Sequence, residues 1–180
     1  MLLWKRYGLQ RRLRRGDSLL LFLTFRCTLH CDYCALKYID GKYPKSSEIT
    51  LSDWKRIVKS FPRKIREVKI TGGEPMIMPY FTELVNWLVD EGYFVLVITN
   101  LSIKRNIKIS DRLLISATNH VSSKVFHSDY YKDYRVKVDV IGNTKELCFR
   151  EYGDTCTGFI YSPEGRLFTH VNEMYANYTK

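Results

Sequence analysis

Leu19-Leu20-Leu21-Phe22-Leu23-Thr24-Phe25 is an apolar run without a charge, and after Arg26 it gives way to Cys27-Thr28-Leu29-His30-Cys31-Asp32-Tyr33-Cys34. A strand that is apolar at successive positions, with no polar alternation, is buried on both faces, as in a parallel sheet covered by helices. The run is also well short of the roughly 18 residues that a membrane span needs. Three cysteines therefore leave the C-terminal end of a central strand, where parallel α/β architectures collect their ligands.

Outward from that strand, helical and extended patterns alternate. Thr50-Leu51-Ser52-Asp53 is a capping-box-like start for a helix to about residue 61. Trp54, Ile57 and Val58 share one face of it, and Lys55, Arg56 and Lys59 lie largely on the other. Residues 66 to 71 form a strand that delivers Gly72-Gly73-Glu74-Pro75 at its end. Pro79 opens a helix in which Phe81, Leu84, Val85, Leu88 and Val89 recur at helical spacing, and Gly92 stops it. Strands follow at 93 to 98, ending in Thr99-Asn100, at 113 to 117, and at 136 to 141, closed by Gly142-Asn143. A helix is expected from Ser122 to about Tyr134. Residues 158 to 162 and 166 to 170, around the turn Pro163-Glu164-Gly165, read as a hairpin capping the open end of the sheet. The fold class is α/β, a parallel sheet with right-handed crossovers. It would bring the cysteine loop, Gly72, Gly73, Glu74, Asn100 and Ser116 to one rim.

Cys27-x3-Cys31-x2-Cys34 followed by Gly72-Gly73-Glu74-Pro75 resembles the radical S-adenosylmethionine (radical SAM) superfamily, over roughly residues 18 to 142. The resemblance implies a partial parallel (β/α) barrel of about five to six strand–helix units with a C-terminal β-hairpin. Its divisions are a basic segment at 1–17, a core at 18–142, and a capping segment at 143–180 of the same domain. Cys27, Cys31 and Cys34 match the family's ligands for a [4Fe-4S] cluster, and three thiolates leave the fourth iron open. Tyr33 matches an aromatic near adenine. Gly72 and Gly73 match a turn that approaches S-adenosylmethionine, Glu74 a carboxylate that accepts from its methionine ammonium, and Pro75 the fixed exit from that turn. Asn100, with Thr99, and Ser116 stand at strand ends where similar enzymes hold ribose or the methionine carboxylate.

The implied activity is reductive cleavage of S-adenosylmethionine to a 5′-deoxyadenosyl radical that abstracts hydrogen from an anionic or macromolecular substrate. Nucleotides, nucleic acids and peptides are the candidate substrates, and flavodoxin or ferredoxin is the implied electron donor. An activase acting on a partner enzyme is the alternative within the same chemistry. A non-catalytic metal-binding module that docks nucleic acid is the alternative of another class.

Composition narrows the setting. The 29 Lys and Arg exceed the 19 Asp and Glu by 10, which favours an anionic partner. Aromatics interleave with basic residues in Tyr130-Tyr131-Lys132-Asp133-Tyr134-Arg135, as on a base-stacking surface or equally on a solvated helix face with tyrosines packed beneath. Lys5, Arg6, Arg11, Arg12, Arg14 and Arg15 make the first segment basic, read as solvated arginines over a packed apolar edge. Five cysteines, three of them in one loop, argue against a disulfide framework and for a reducing, cytoplasmic setting.

Several residues keep two readings. His30 could complete a Cys3His zinc site with the three cysteines. Cys148, Cys156 and His170 are too few for a fully liganded second cubane and read as buried thiols and an ordinary histidine. Gly72 and Gly73 could simply shape a tight turn, and Ser116 could be an ordinary strand hydroxyl. His120 and His127 carry no assignment.

Overall fold

The computed structural model describes residues 18–31, 34, 36, 39, 47–61, 65–120, 126–141, 159–168, 174, 177 and 178. The basic segment 1–17, Tyr33, Cys148, Cys156 and His170 lie outside these residues.

Among the described residues a seven-stranded sheet organises the chain: β1 (Ser18–Phe22), β2 (Glu67–Thr71), β3 (Phe94–Thr99), β4 (Leu113–His120), β5 (Val136–Ile141), β6 (Phe159–Tyr161) and β7 (Leu167–Phe168). Their spatial order is β5-β4-β3-β2-β1-β6-β7, with β1 to β6 parallel and β7 antiparallel to β6. The described α-helices are α1 (Leu51–Ser60) and α2 (Phe81–Asp90). The architecture is mixed α/β with a mostly parallel, partial-barrel-like sheet, as expected.

The all-apolar β1 is explained by two packing layers. Leu19, Leu21 and Leu23 join one buried cluster with Trp54 and Val58 of α1 and Phe81, Leu84, Val85 and Leu88 of α2. Leu20 and Phe22 join a second with Phe25, Leu36, Ile39, Ile160 and Phe168. Successive side chains point to opposite faces, so a strand covered on both sides has no polar position to spare. Away from β1, on the face opposite α1 and α2, Leu96 and Ile98 of β3 and Leu114 and Ser116 of β4 are half-buried.

Local signals set the helices. Thr50 accepts from Asp53 N–H while the Asp53 carboxylate accepts from Thr50 N–H, a complete capping box. The α2 residues Phe81, Leu84, Val85, Leu88 and Val89 are all buried, as their spacing predicts.

Four expectations are corrected. β1 ends at Phe22, because residues 24 to 26 turn to follow the Gly72-Gly73 backbone; Leu23 N–H still donates to Thr71 O at 3.0 Å. α2 starts at Phe81, after a 3-10 turn at Pro75–Ile77 that uses the residues just before Pro79. The helix expected from Ser122 is, among the described residues, a 3-10 turn at Ser128–Tyr131. Its aromatics are committed elsewhere: Tyr131 Oη donates to Ile103 O at 3.0 Å and Tyr134 Oη to Ile107 O at 2.7 Å. Finally, among the described residues the hairpin lies in the sheet itself: β6 pairs parallel with β1, and β7 pairs antiparallel with β6 at the edge.

Candidate radical SAM site

The chain from Thr24 to Cys27 runs against the Gly-Gly-Glu turn. Gly73 N–H donates to Thr24 O and Glu74 N–H to Arg26 O, each at 2.9 Å. The approach is so close that a Cβ on Gly73 would lie 2.1 Å from Arg26 O, and one on Gly72 2.3 Å from Thr24 O. Gly72 also holds φ +153°, a conformation that side-chain-bearing residues rarely adopt. These glycines are therefore required by the chain leading into the cysteine loop, an account sufficient without any ligand.

That leading segment is tied down from the other side by Glu48. Arg26 Nη2 donates to Glu48 Oε2 at 2.7 Å and Arg26 Nε to Oε1 at 3.1 Å, a charge-assisted fork, and Thr24 Oγ1 donates to the same carboxylate. Arg26 and Glu48 escaped the reading of the sequence. The one available signal was an arginine directly before the first cysteine of a loop that needs anchoring.

Glu74 is fully buried. Its carboxylate accepts from Met76 N–H at 2.9 Å and Asn100 N–H at 2.8 Å, and Thr99 Oγ1 lies 2.8 Å from both of its oxygens. Burial pushes the Glu74 carboxyl up, opposed by hydrogen bonds from Asn100, Met76 and Thr99. Its partners here come from within the chain, tying the end of β2 to the end of β3. Pro75 is buried and opens the 3-10 turn beyond it.

Asn100, buried at the end of β3, faces the cysteine loop. Its Nδ2 donates to Thr28 Oγ1 at 3.1 Å and lies 3.7 Å from Cys27 Sγ. Ser116 stands four residues before the end of β4, on the face opposite α1 and α2 and in register with Ile98. It lies within its strand and not at the strand end, since β4 runs on to His120.

Cys27, Cys31 and Cys34 are half-buried and are joined in no disulfide among the described residues. Cys34 N–H donates to Cys31 O at 3.0 Å, which ties the third cysteine to the second. Burial pushes the Cys27 thiol up to about 11, against the lowering effect of Leu29 N–H. Among the described residues no three His, Cys, Asp or Glu side chains surround a single ion position. A cubane makes no such demand, because each thiolate takes a different iron. Three half-buried cysteines on one loop are the donor set that group takes.

The model of the radical SAM superfamily matches residues 21–140. The chain belongs to the radical SAM superfamily. The family implies a [4Fe-4S] cluster and S-adenosylmethionine. Among curated relatives, 7-carboxy-7-deazaguanine synthase of Thermoplasma acidophilum is 37% identical over 101 residues, covering 56% of this chain and 46% of that protein. GTP 3',8-cyclase of Rhodopirellula baltica is 31% identical over 77 residues, covering 42% of this chain and 21% of that one. The matched segments thus span less than half of these relatives' lengths. Among solved structures, BtrN in complex with AdoMet and 2-DOIA superposes with a TM-score of 0.57 at 11% identity, covering 90% of this chain and 80% of that chain. Streptococcus suis SuiB gives 0.55 at 12% identity, covering 94% and 64%. These two likenesses concern the radical SAM fold. No helix among the described residues is long and apolar enough to cross a membrane.

Proposed function

We propose that this radical SAM chain holds its cluster through Cys27, Cys31 and Cys34 and abstracts hydrogen from an anionic, nucleotide-derived substrate. The observation that carries the reading is the continuity of the rim. The cysteine loop, the Gly72-Gly73-Glu74 turn and the Thr99-Asn100 strand end are joined by direct hydrogen bonds. The chemistry supplied by the two groups, when bound, is one-electron cleavage of S-adenosylmethionine to a hydrogen-abstracting 5′-deoxyadenosyl group.

The chain's own residues do the rest. The three thiolates leave one iron position without a protein ligand. Glu74, held by Met76, Thr99 and Asn100, fixes the turn against which the chain leading into the cysteine loop runs. Tyr33, Gly72, Gly73, Pro75 and Ser116 complete the proposed S-adenosylmethionine contacts. Substrate would approach the face opposite α1 and α2, the side of Ser116, where Lys69 of β2 is ion-paired with Glu67 at 3.6 Å. The net charge of +10 suits an anionic ligand. Two curated relatives named for GTP and deazaguanine chemistry support a nucleotide-type substrate. Flavodoxin or ferredoxin is the proposed electron donor, and the cytoplasm the proposed setting.

The test is anaerobic reconstitution with iron and sulfide, reduction with S-adenosylmethionine present, and incubation with deuterated nucleotides or deuterated peptides. Deuterium entering 5′-deoxyadenosine from a nucleotide supports the proposal. Deuterium entering only from peptides would replace the substrate class while keeping the site.

A further inference from the structure

The turn that carries Asn100 is more rigidly built than a strand end requires. Leu101, fully buried, holds φ +52°, a left-handed conformation rare for a non-glycine residue. It is held there from both sides: Leu101 N–H donates to Thr99 Oγ1 at 3.0 Å, and Leu101 O accepts from His127 N–H at 3.0 Å. Thr99 Oγ1 is in turn held by the Glu74 carboxylate.

This turn also dictates which way the Asn100 amide faces. Asn100 Oδ1 accepts from Ser102 N–H at 2.9 Å. The other end, Nδ2, must then point away from Ser102, toward Thr28 Oγ1 and Cys27 Sγ. Thr28 Oγ1 is fixed as well, 2.6 Å from Ser102 Oγ. The amide thus presents a donor to the first cysteine with its orientation set by a backbone group, so it cannot flip without losing a bond.

From this we propose that Asn100 is a positioning residue for Cys27, and that its Nδ2–H donates to the Cys27 thiolate of the assembled cluster and raises the reduction potential. The proposal rests on the cluster reading above. A donor aimed at a cluster sulfur stabilises the reduced, more negative state, so its removal favours oxidation. The strained turn gives a reason for the arrangement: an ordinary strand end would not hold the amide between Ser102 and Cys27.

The experiment is an EPR-monitored redox titration of the full chain, reconstituted anaerobically with iron and sulfide. Asn100→Asp keeps the acceptor for Ser102 N–H and removes the donor; Asn100→Ala removes it without adding charge. Both midpoints are expected below wild type, while Ser102→Ala, which removes only the hydroxyl contact with Thr28, keeps the wild-type value. A second measurement needs no variant to assemble. Wild-type protein labelled with 15N-asparagine is expected to show a weak nitrogen coupling to the reduced cluster in pulsed EPR. Unchanged midpoints in both Asn100 variants, or no such coupling in wild type, would overturn the proposal. Wild-type protein that assembles no four-iron cluster would instead overturn the cluster reading itself.

Discussion

Thr99 Oγ1 lies 2.8 Å from each oxygen of the buried Glu74 carboxylate, so a single hydroxyl at the end of β3 closes the turn at the end of β2. With Met76 N–H and Asn100 N–H on the same carboxylate, Glu74 joins two neighbouring strand ends before any ligand arrives.

Glu74→Ala is therefore expected to destabilise the metal-free chain. It strands two buried backbone donors and a hydroxyl, at about 1–3 kcal/mol for each group left unsatisfied. Urea unfolding without iron or S-adenosylmethionine checks this. An unchanged midpoint would show that Glu74 has no part in holding the rim.

The same carboxylate makes stability depend on pH in a defined direction. Burial raises its pKa above the ordinary 4.5, so the folded chain binds the proton more tightly than the unfolded one. Its contribution is then most favourable below 4.5 and declines as pH rises through the folded value, where the cost of a buried carboxylate is complete. Glu74→Gln removes this dependence. The unfolding free energy of wild type minus that of the variant should fall with rising pH, and a flat difference would contradict the assignment.

Gly73→Ala tests the contact between the turn and the cysteine loop. The new Cβ would meet Arg26 O at 2.1 Å and Phe25 O at 2.8 Å, both backbone atoms that yield only if the loop moves. A loss of about 1–3 kcal/mol is expected, as for overpacking elsewhere. Iron content after reconstitution should fall too, though Gly73 is no ligand. Wild-type iron loading and stability would mean that the loop adjusts freely.

The basic balance predicts a salt effect confined to substrate. Raising ionic strength should raise KM for an anionic nucleotide, because the attraction is between separated charges that salt screens. The wild-type turnover at saturating substrate should hold. A KM independent of salt would remove charge as the basis of recognition.

How much of this was legible in the sequence depended on whether the signal was local. The Thr50–Asp53 capping box and the apolar spacing of α2 are short-range patterns, and each forms where it reads; β1 is buried as its apolar run reads but stops at Phe22, where contact with the distant Gly72-Gly73 turn takes over. The Ser128–Tyr131 region misled because Tyr131 and Tyr134 mimic a helical stripe while bonding to carbonyls of the 103–107 connection. Gly72 and Gly73 were recognised as a motif, but the backbone they approach belongs to residues 24 to 26, a partner far away in sequence. Ser116 looked like a strand end because β4 was read too short. Arg26 and Glu48 were invisible because a pair 22 residues apart leaves no periodic trace.

The central claim is that Cys27, Cys31 and Cys34 together hold a cluster able to cleave S-adenosylmethionine. Its most direct measurement is 5′-deoxyadenosine and methionine formation by the anaerobically reconstituted, reduced chain, beside the Cys27→Ala, Cys31→Ala and Cys34→Ala variants. The account predicts both products from wild type and loss of both in every variant. Wild-type product yield from any one of the three variants would contradict it.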